Sequence, residues 1–262
     1  MAEIFTVETL RFKMDYFTFG SGKKSLVIIP GMSLGSVMLS ADAVISAYSC
    51  FKDARRVYVF DIRRDVPADY RIEDMAHDTA EAMKCLGLHD ADVFGVSQGG
   101  MIAQCIAIEY PELVGRLVLG STQPKPNPLS CDTFSLWKAL ADAGDVRAAN
   151  RCFFKRVYSK DYYEKYREAF EALEGVGTAE ELYRFGVQAE ACRIFDCSGR
   201  LDKITCPALV IGAENDEVLG SIGSKELAQK LGCEMYIYSG FGHAVFDEAD
   251  DYKARLMKFF DI

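Results

Sequence analysis

Histidine is scarce in this sequence, with three residues at positions 77, 89 and 243 of 262. Any chemistry that needs an imidazole must use one of them. None stands at ligand spacing to a cysteine. No Cys-x-x-Cys pair occurs among the nine cysteines, at 50, 85, 105, 131, 152, 192, 197, 206 and 233. That argues against a structural zinc site and leaves no metal expected. Several cysteines fall inside apolar helix or strand patterns, and Met1-Ala2-Glu3-Ile4 has neither a basic start nor an apolar run. The expectation is reduced, buried thiols in a cytoplasmic protein. No apolar run approaches the roughly 18 residues that span a bilayer. Basic charge is short as well: 30 Lys and Arg against 39 Asp and Glu leave a net charge of −9. With no basic stripe to neutralise phosphates, nucleic acid and anionic membranes are excluded as partners. A small-molecule substrate is not. Repeats and low-complexity segments are missing too.

What is present is a globular balance, 50% apolar and 26% charged, which suits one large α/β domain or a core with an insertion. Residues 4–19 alternate apolar and polar like two antiparallel strands ending at Gly20-Ser21-Gly22. Ser25-Leu26-Val27-Ile28-Ile29 is a continuous apolar run, as in a strand covered on both faces. A loop at 30–36 and a helix-like stretch to about Phe51 follow it. Next come a strand over 55–60 ending at Asp61 and a helix over 71–86 with Ile72, Met75, Ala76, Thr79, Ala82, Met83 and Leu86 on one stripe. Strands at 91–96 and 115–120 flank another helix. Such alternation predicts a parallel sheet with right-handed crossovers. Three of the seven prolines then cluster in Gln123-Pro124-Lys125-Pro126-Asn127-Pro128. From there to about Arg200 no buried strand is found, only aromatic-rich helical segments at 132–143, 146–158, 160–174 and 178–193. The α/β pattern resumes with strands at 206–212 and 233–239, a helix at 221–231 and a last helix from about 247. The expected division is a core of 1–122 and 201–262, interrupted by a helical cap at 123–200. Extra helical layers, rather than a lid, are the alternative.

The stretch that organises the chain is Gly95-Val96-Ser97-Gln98-Gly99-Gly100 between a strand and a helix. A strand that reverses into a helix within a few residues needs glycines on either side of the turn. The serine between them is then held above the sheet, beside free N–H groups at a helix start. A serine hydroxyl becomes a nucleophile only when an oriented base takes its proton. His77 lies within a helix beside its apolar stripe. His89 precedes the 91–96 strand and so sits at the wrong end of the sheet. His243, in Ser239-Gly240-Phe241-Gly242-His243, follows a strand at its C-terminal end, where open α/β sheets place their sites. The orienting acid should come from Glu214-Asn215-Asp216, on the loop after the strand at 206–212. Asp216 is favoured because it stands farther out, with Glu214 in reserve. The order Ser97, Asp216, His243 is the one used by the fold with this serine turn.

These three motifs resemble the α/β-hydrolase superfamily, specifically its single-domain bacterial esterases with a helical cap, over nearly the whole length outside that cap. The resemblance implies an eight-stranded, mostly parallel sheet whose first strands are antiparallel. It also implies an oxyanion hole from two backbone N–H groups, those of Gln98 and, by position, Met32. Met32 packing beneath the substrate is the simpler alternative. Two departures stand out. Pro30 occupies a position where His commonly precedes the glycine, and Asp61-Ile62-Arg63-Arg64-Asp65 lacks the glycines that often follow Asp-x-Arg. That loop must take another path, and Asp61 is read as structural.

The expected activity is hydrolysis of a carboxylic ester or related acyl compound through an acyl-enzyme on Ser97, with no cofactor. C–C hydrolase, lactonase, thioesterase or cofactor-free peroxidase chemistry on the same scaffold is the alternative, as is a ligand-binding member with negligible turnover. Trp137, Phe153, Phe154, Tyr158, Tyr162, Tyr163, Phe170, Tyr183 and Phe185 could line an apolar or aromatic pocket, though at helical spacing most such residues are core.

Overall fold

In the computed structural model, which describes residues 1–262, the chain opens with β1 (Ile4–Glu8) and β2 (Lys13–Phe19), an antiparallel pair. β3 (Lys24–Ile29), α1 (Ala41–Ala47), β4 (Arg55–Arg63) and α2 (Ile72–Cys85) follow. Then come β5 (Ala91–Val96), α3 (Gln98–Glu109) and β6 (Val114–Gly120). Five helices intervene before the next strand: α4 (Pro128–Asp142), α5 (Val146–Val157), α6 (Lys160–Lys165), α7 (Arg167–Leu173) and α8 (Ala179–Ile194). β7 (Ala208–Ala213), α9 (Ser221–Leu231), β8 (Glu234–Tyr238), α10 (Val245–Glu248) and α11 (Tyr252–Phe259) complete the chain. No helix is long and apolar enough to cross a membrane.

The eight strands form one sheet in the order β1-β2-β4-β3-β5-β6-β7-β8. β2 alone runs against the others, antiparallel to both β1 and β4, while every pairing from β4 to β8 is parallel. Side chains in the central strands alternate between two apolar layers. Val27 and Ile29 join one buried cluster, and Leu26 and Ile28 the other. Leu117 and Leu119 on β6 divide from Val118 in the same way. This is why the strands read as unbroken apolar runs: both faces are covered, and each buried aliphatic side chain contributes about 1.5–3 kcal/mol.

The strand order also positions the site. β4 lies on one side of β3 and β5 on the other, so the chain reverses its direction across the sheet between β3 and β5. The loops leaving the C-terminal ends of these two strands therefore diverge and leave a crevice between them.

Local structure departs from the sequence-based expectation at four places. The segment 160–174 is two helices, broken at Tyr166 (φ −112°, ψ 21°). The break lets Phe170 turn back into an aromatic cluster, with its ring 4.8 Å from Tyr158 and 5.3 Å from Tyr163. The last helix is likewise split into α10 and α11, with extended backbone at Ala249 (φ −87°, ψ 121°). The stretch before Phe51 is α1 flanked by short 3-10 turns. β4 runs on to Arg63, pairing Met14 with Arg63 across a bulge; with no glycine to turn the chain, it stays extended. The nine cysteines are free thiols, and Cys50 and Cys85 are exposed rather than buried.

Gly99 is where the fold is least forgiving. A Cβ built there would lie 2.0 Å from the Ile29 carbonyl oxygen and 2.5 Å from that of Pro30. Both are backbone atoms of the strand and loop beside the turn, so neither can swing aside. Gly99→Ala is expected to destabilise the protein by more than about 3 kcal/mol, beyond the usual range of overpacking. A denaturant midpoint close to that of the unaltered protein would show that β3 and α3 can separate.

Candidate active site

Ser97 follows the last residue of β5 and caps α3 at φ +54° and ψ −119°, a conformation that costs a non-glycine residue of order 1–3 kcal/mol. Its backbone is held from both sides: its N–H donates to the Gly120 carbonyl at 2.9 Å, and its carbonyl accepts from Thr122 Oγ1 at 2.7 Å. The serine is 6% exposed. What exposure it keeps opens into a cavity of about 510 Å³.

The β3–α1 loop passes directly over this serine. A Cβ at Gly31 would stand 3.1 Å from Ser97 Cβ and 3.7 Å from its Oγ, a contact tight enough that any larger residue would press on the serine. The next residue, Met32, lines the cavity, and its side chain belongs to the larger apolar cluster. The amide N–H groups of Met32 and Gln98 donate to no backbone acceptor. Two uncommitted donors therefore flank Ser97, one from each of the loops that diverge at the sheet's reversal. The Gln98 side chain points away, its Nε2 3.5 Å from Cys192 Sγ, and burial pushes that thiol up to about 12.

The base and acid candidates come from the loops after β8 and β7. His243 Nδ1 lies 2.7 Å from Asp216 Oδ2, and both side chains are almost fully buried. The other carboxylate oxygen, Oδ1, accepts from the Val218 and Leu219 amides at 2.8 Å each. Three donors thus fix the carboxylate in orientation. Glu214, two residues earlier, is exposed. Ser97 and His243 line the same cavity. His77 is instead placed 2.7 Å from the Tyr110 hydroxyl, and His89 is exposed.

Four of the five helices between β6 and β7, α4, α5, α7 and α8, supply the opposite wall. Of the nine aromatic residues singled out from the sequence, Trp137, Phe153, Phe154 and Tyr158 line the cavity. Tyr162, Tyr163, Phe170, Tyr183 and Phe185 do not. Phe185 packs behind Trp137, ring centroids 5.7 Å apart, as ordinary core. The wall is tied to the His243 loop. The Ala244 N–H donates to the Val157 carbonyl at 2.8 Å, and Glu248 accepts from the Ser159 amide at 2.8 Å and its hydroxyl at 2.5 Å. It is tied to the sheet as well: Arg184 on α8 reaches Asp61 at 3.3 Å, and Ser36 Oγ donates to the same carboxylate. Burial raises the Asp61 carboxyl, with Arg184 and Ser36 opposing the shift. Asp61 thereby joins the helical layer to the end of β4.

Sequence reading missed Thr122, Glu248 and Asp247. Asp247, four residues after His243, lines the cavity, while Glu248 next to it holds Ser159, and nothing local in the sequence marks either role.

Comparison with known proteins agrees with this architecture. The model of the alpha/beta hydrolase fold family matches residues 24–250. The chain belongs to that family. A protein of Rhizobium rhizogenes named carbamate hydrolase RutD is 31% identical over 199 residues, covering 74% of this chain and 76% of that one. Among solved structures, MGS-M2, an alpha/beta hydrolase enzyme from a Medee basin deep-sea metagenome library, superposes with a TM-score of 0.86 at 22% identity. It covers 98% of this chain and 97% of its own. The enol-lactonase from Burkholderia xenovorans LB400 reaches 0.85 at 18% identity, over 98% and 100% of the two chains. At these identities the solved structures speak for the fold. This member of the alpha/beta hydrolase family carries its candidate site where β3, β5, β7 and β8 end.

Proposed function

We propose that the protein is a serine hydrolase that cleaves a carboxylic ester or related acyl substrate through an acyl-enzyme on Ser97. The observation that carries this reading is one cavity bounded by Ser97 on its strained turn and by His243, itself paired at 2.7 Å with the buried Asp216. In the proposed mechanism Ser97 Oγ attacks the carbonyl carbon while His243 Nε2 takes its proton. Asp216 keeps the imidazole proton on Nδ1 and stabilises the imidazolium. The Met32 and Gln98 amides receive the oxyanion, a contribution of about 2.7–4 kcal/mol for one such donor in a related setting. His243 then returns the proton to the leaving group, and water cleaves the acyl-enzyme by the same steps. Residues 1–122 and 201–262 act as the core, and residues 123–200 as a cap over the acyl group. The largely apolar lining supports a small-to-medium apolar or aromatic acyl substrate. The similarity to a protein named carbamate hydrolase keeps carbamates within this class, since their carbonyl is attacked in the same way.

The test is labelling with a fluorophosphonate, which reacts with activated serines, alongside a panel of esters, carbamates, lactones, thioesters and β-diketones. Labelling confined to Ser97, with ester turnover abolished in Ser97→Ala, is the expected result. No labelling would sink the nucleophile. Turnover of β-diketones alone would move the chemistry to C–C bonds.

A further inference from the structure

Charge is distributed unevenly around the Ser97 cavity. None of its 25 lining residues is Lys or Arg, whereas Glu181 and Asp247 contribute carboxylates. Glu181 is already committed: it accepts from the Thr178 amide at 2.8 Å and the Thr178 hydroxyl at 3.1 Å, closing the capping box of α8. Its charge is balanced by that helix start. Asp247 is less fully committed: Lys253 and the Tyr158 hydroxyl favour its charged form, but they do not offset the burial that raises it. The nearest ammonium, Lys253, donates to the Phe246 carbonyl and lies over the Tyr48 ring. The carboxylate is reachable by solvent on the cavity wall, yet protein crowds it enough for burial to push it up to about 6. Tyr158 and Phe246 stand beside it, and Trp137, Phe153 and Phe154 line the same cavity. A cavity carboxylate with no direct ion pair, beside aromatic faces, is an arrangement that favours a cation, and it repels an anion of the same shape.

We propose that the cavity selects substrates carrying an ammonium group on an apolar body, with Asp247 as the specificity-determining residue that receives the charge. This rests on the reading of the cavity as the acyl-binding site, but it is testable apart from turnover. Trp137 is the only tryptophan in the chain and part of the wall, so its fluorescence reports occupancy directly. Other groups near Asp247 that could titrate or carry charge are Tyr48, Tyr158 and Tyr162, its own neighbour Glu248, His243 across the cavity, and Tyr252 and Lys253 of α11. The tyrosines stay protonated in the range of interest, because burial raises them.

Ser97→Ala protein is titrated with phenyltrimethylammonium, its neutral isostere tert-butylbenzene, and benzoate, following Trp137 emission. At pH 7.5 the ammonium ion is expected to bind at least about tenfold more tightly than benzoate, and Asp247→Asn in the same background to reduce that preference at least about threefold. The preference is present while Asp247 is ionised and is lost as pH falls through about 6. The part of that pH dependence removed by Asp247→Asn belongs to Asp247; pH dependence that Asp247→Asn leaves wholly intact overturns the assignment to this residue. Benzoate binding as tightly as phenyltrimethylammonium, or a preference that Asp247→Asn leaves unchanged, overturns the proposal. Should the asparagine variant not fold, the ammonium-to-benzoate ratio of the Ser97→Ala protein still decides. Fluorophosphonate labelling of the unaltered protein without charge preference would refute cation selection and leave acyl hydrolysis standing. A charge preference without labelling would do the reverse.

Discussion

Ser97→Ala is expected to lower kcat/KM for a hydrolysed ester by at least about 10⁴-fold, with the protein folded and KM little changed. Of the other serines lining the cavity, Ser33 donates to the Gly35 carbonyl and Ser36 to Asp61, so neither hydroxyl is free to replace the lost Oγ. Activity does not fall to the uncatalysed rate. In the proposed mechanism the Met32 and Gln98 amides still meet a developing oxyanion, and residual catalysis of about 10³–10⁴ over water from such donors and binding is typical of this chemistry. The backbone makes a second demand. Alanine keeps a Cβ and so keeps the strain at φ +54°, whereas Ser97→Gly relieves it. The glycine variant should be as inactive as the alanine one but more stable than the unaltered protein by about 1 kcal/mol, read from denaturant midpoints. A glycine variant no more stable than the alanine variant would mean that the turn carries no strain.

That serine turn was legible because its requirements are local. Strands β3, β5, β6 and β7 stood out for the same reason, since covering both faces forces apolar side chains at every position. Scarcity did the rest: with three histidines, location relative to the strand ends left His243, and the order of the loops left Asp216 or Glu214. What distinguishes those two acids is not local. Asp216 is buried because its carboxylate meets the Val218 and Leu219 amides, while Glu214 points to solvent, and the Glu214-Asn215-Asp216 motif contains neither fact. The break at Tyr166 escaped notice because helix propensity continues through it. The chain turns there to bring Phe170 against Tyr158 and Tyr163, a tertiary demand that overrides local preference. Asp247 was invisible for a related reason. Its surroundings come from α5, α6, α11 and the end of α1, and only the folded cavity assembles them.

Asp216→Asn is expected to reduce kcat by about 10⁴-fold while leaving KM and the fold nearly unchanged. The argument turns on which atoms the carboxylate already serves. Oδ1 accepts from two amides, and Oδ2 faces His243 Nδ1 at 2.7 Å. An asparagine can keep only one oxygen. If that oxygen remains on the Val218 and Leu219 amides, the side-chain NH₂ faces His243 and donates to Nδ1. The imidazole proton is then forced onto Nε2, the atom that accepts from Ser97 in the proposed mechanism. If the amide flips instead, the NH₂ confronts two buried N–H donors, and the desolvation of unpaired groups costs about 1–3 kcal/mol each. The first arrangement wins, so the variant is folded but holds its histidine in the wrong tautomer. Asp216→Ala should differ in kind: it strands both amides and lowers the denaturation midpoint as well as kcat. Glu214→Gln, altering an exposed acid in the same loop, should change kcat less than about threefold, since exposed charges act weakly through water. A Glu214→Gln loss comparable to that of Asp216→Asn would show that the loop's total charge, rather than one carboxylate's alignment with His243, governs the reaction.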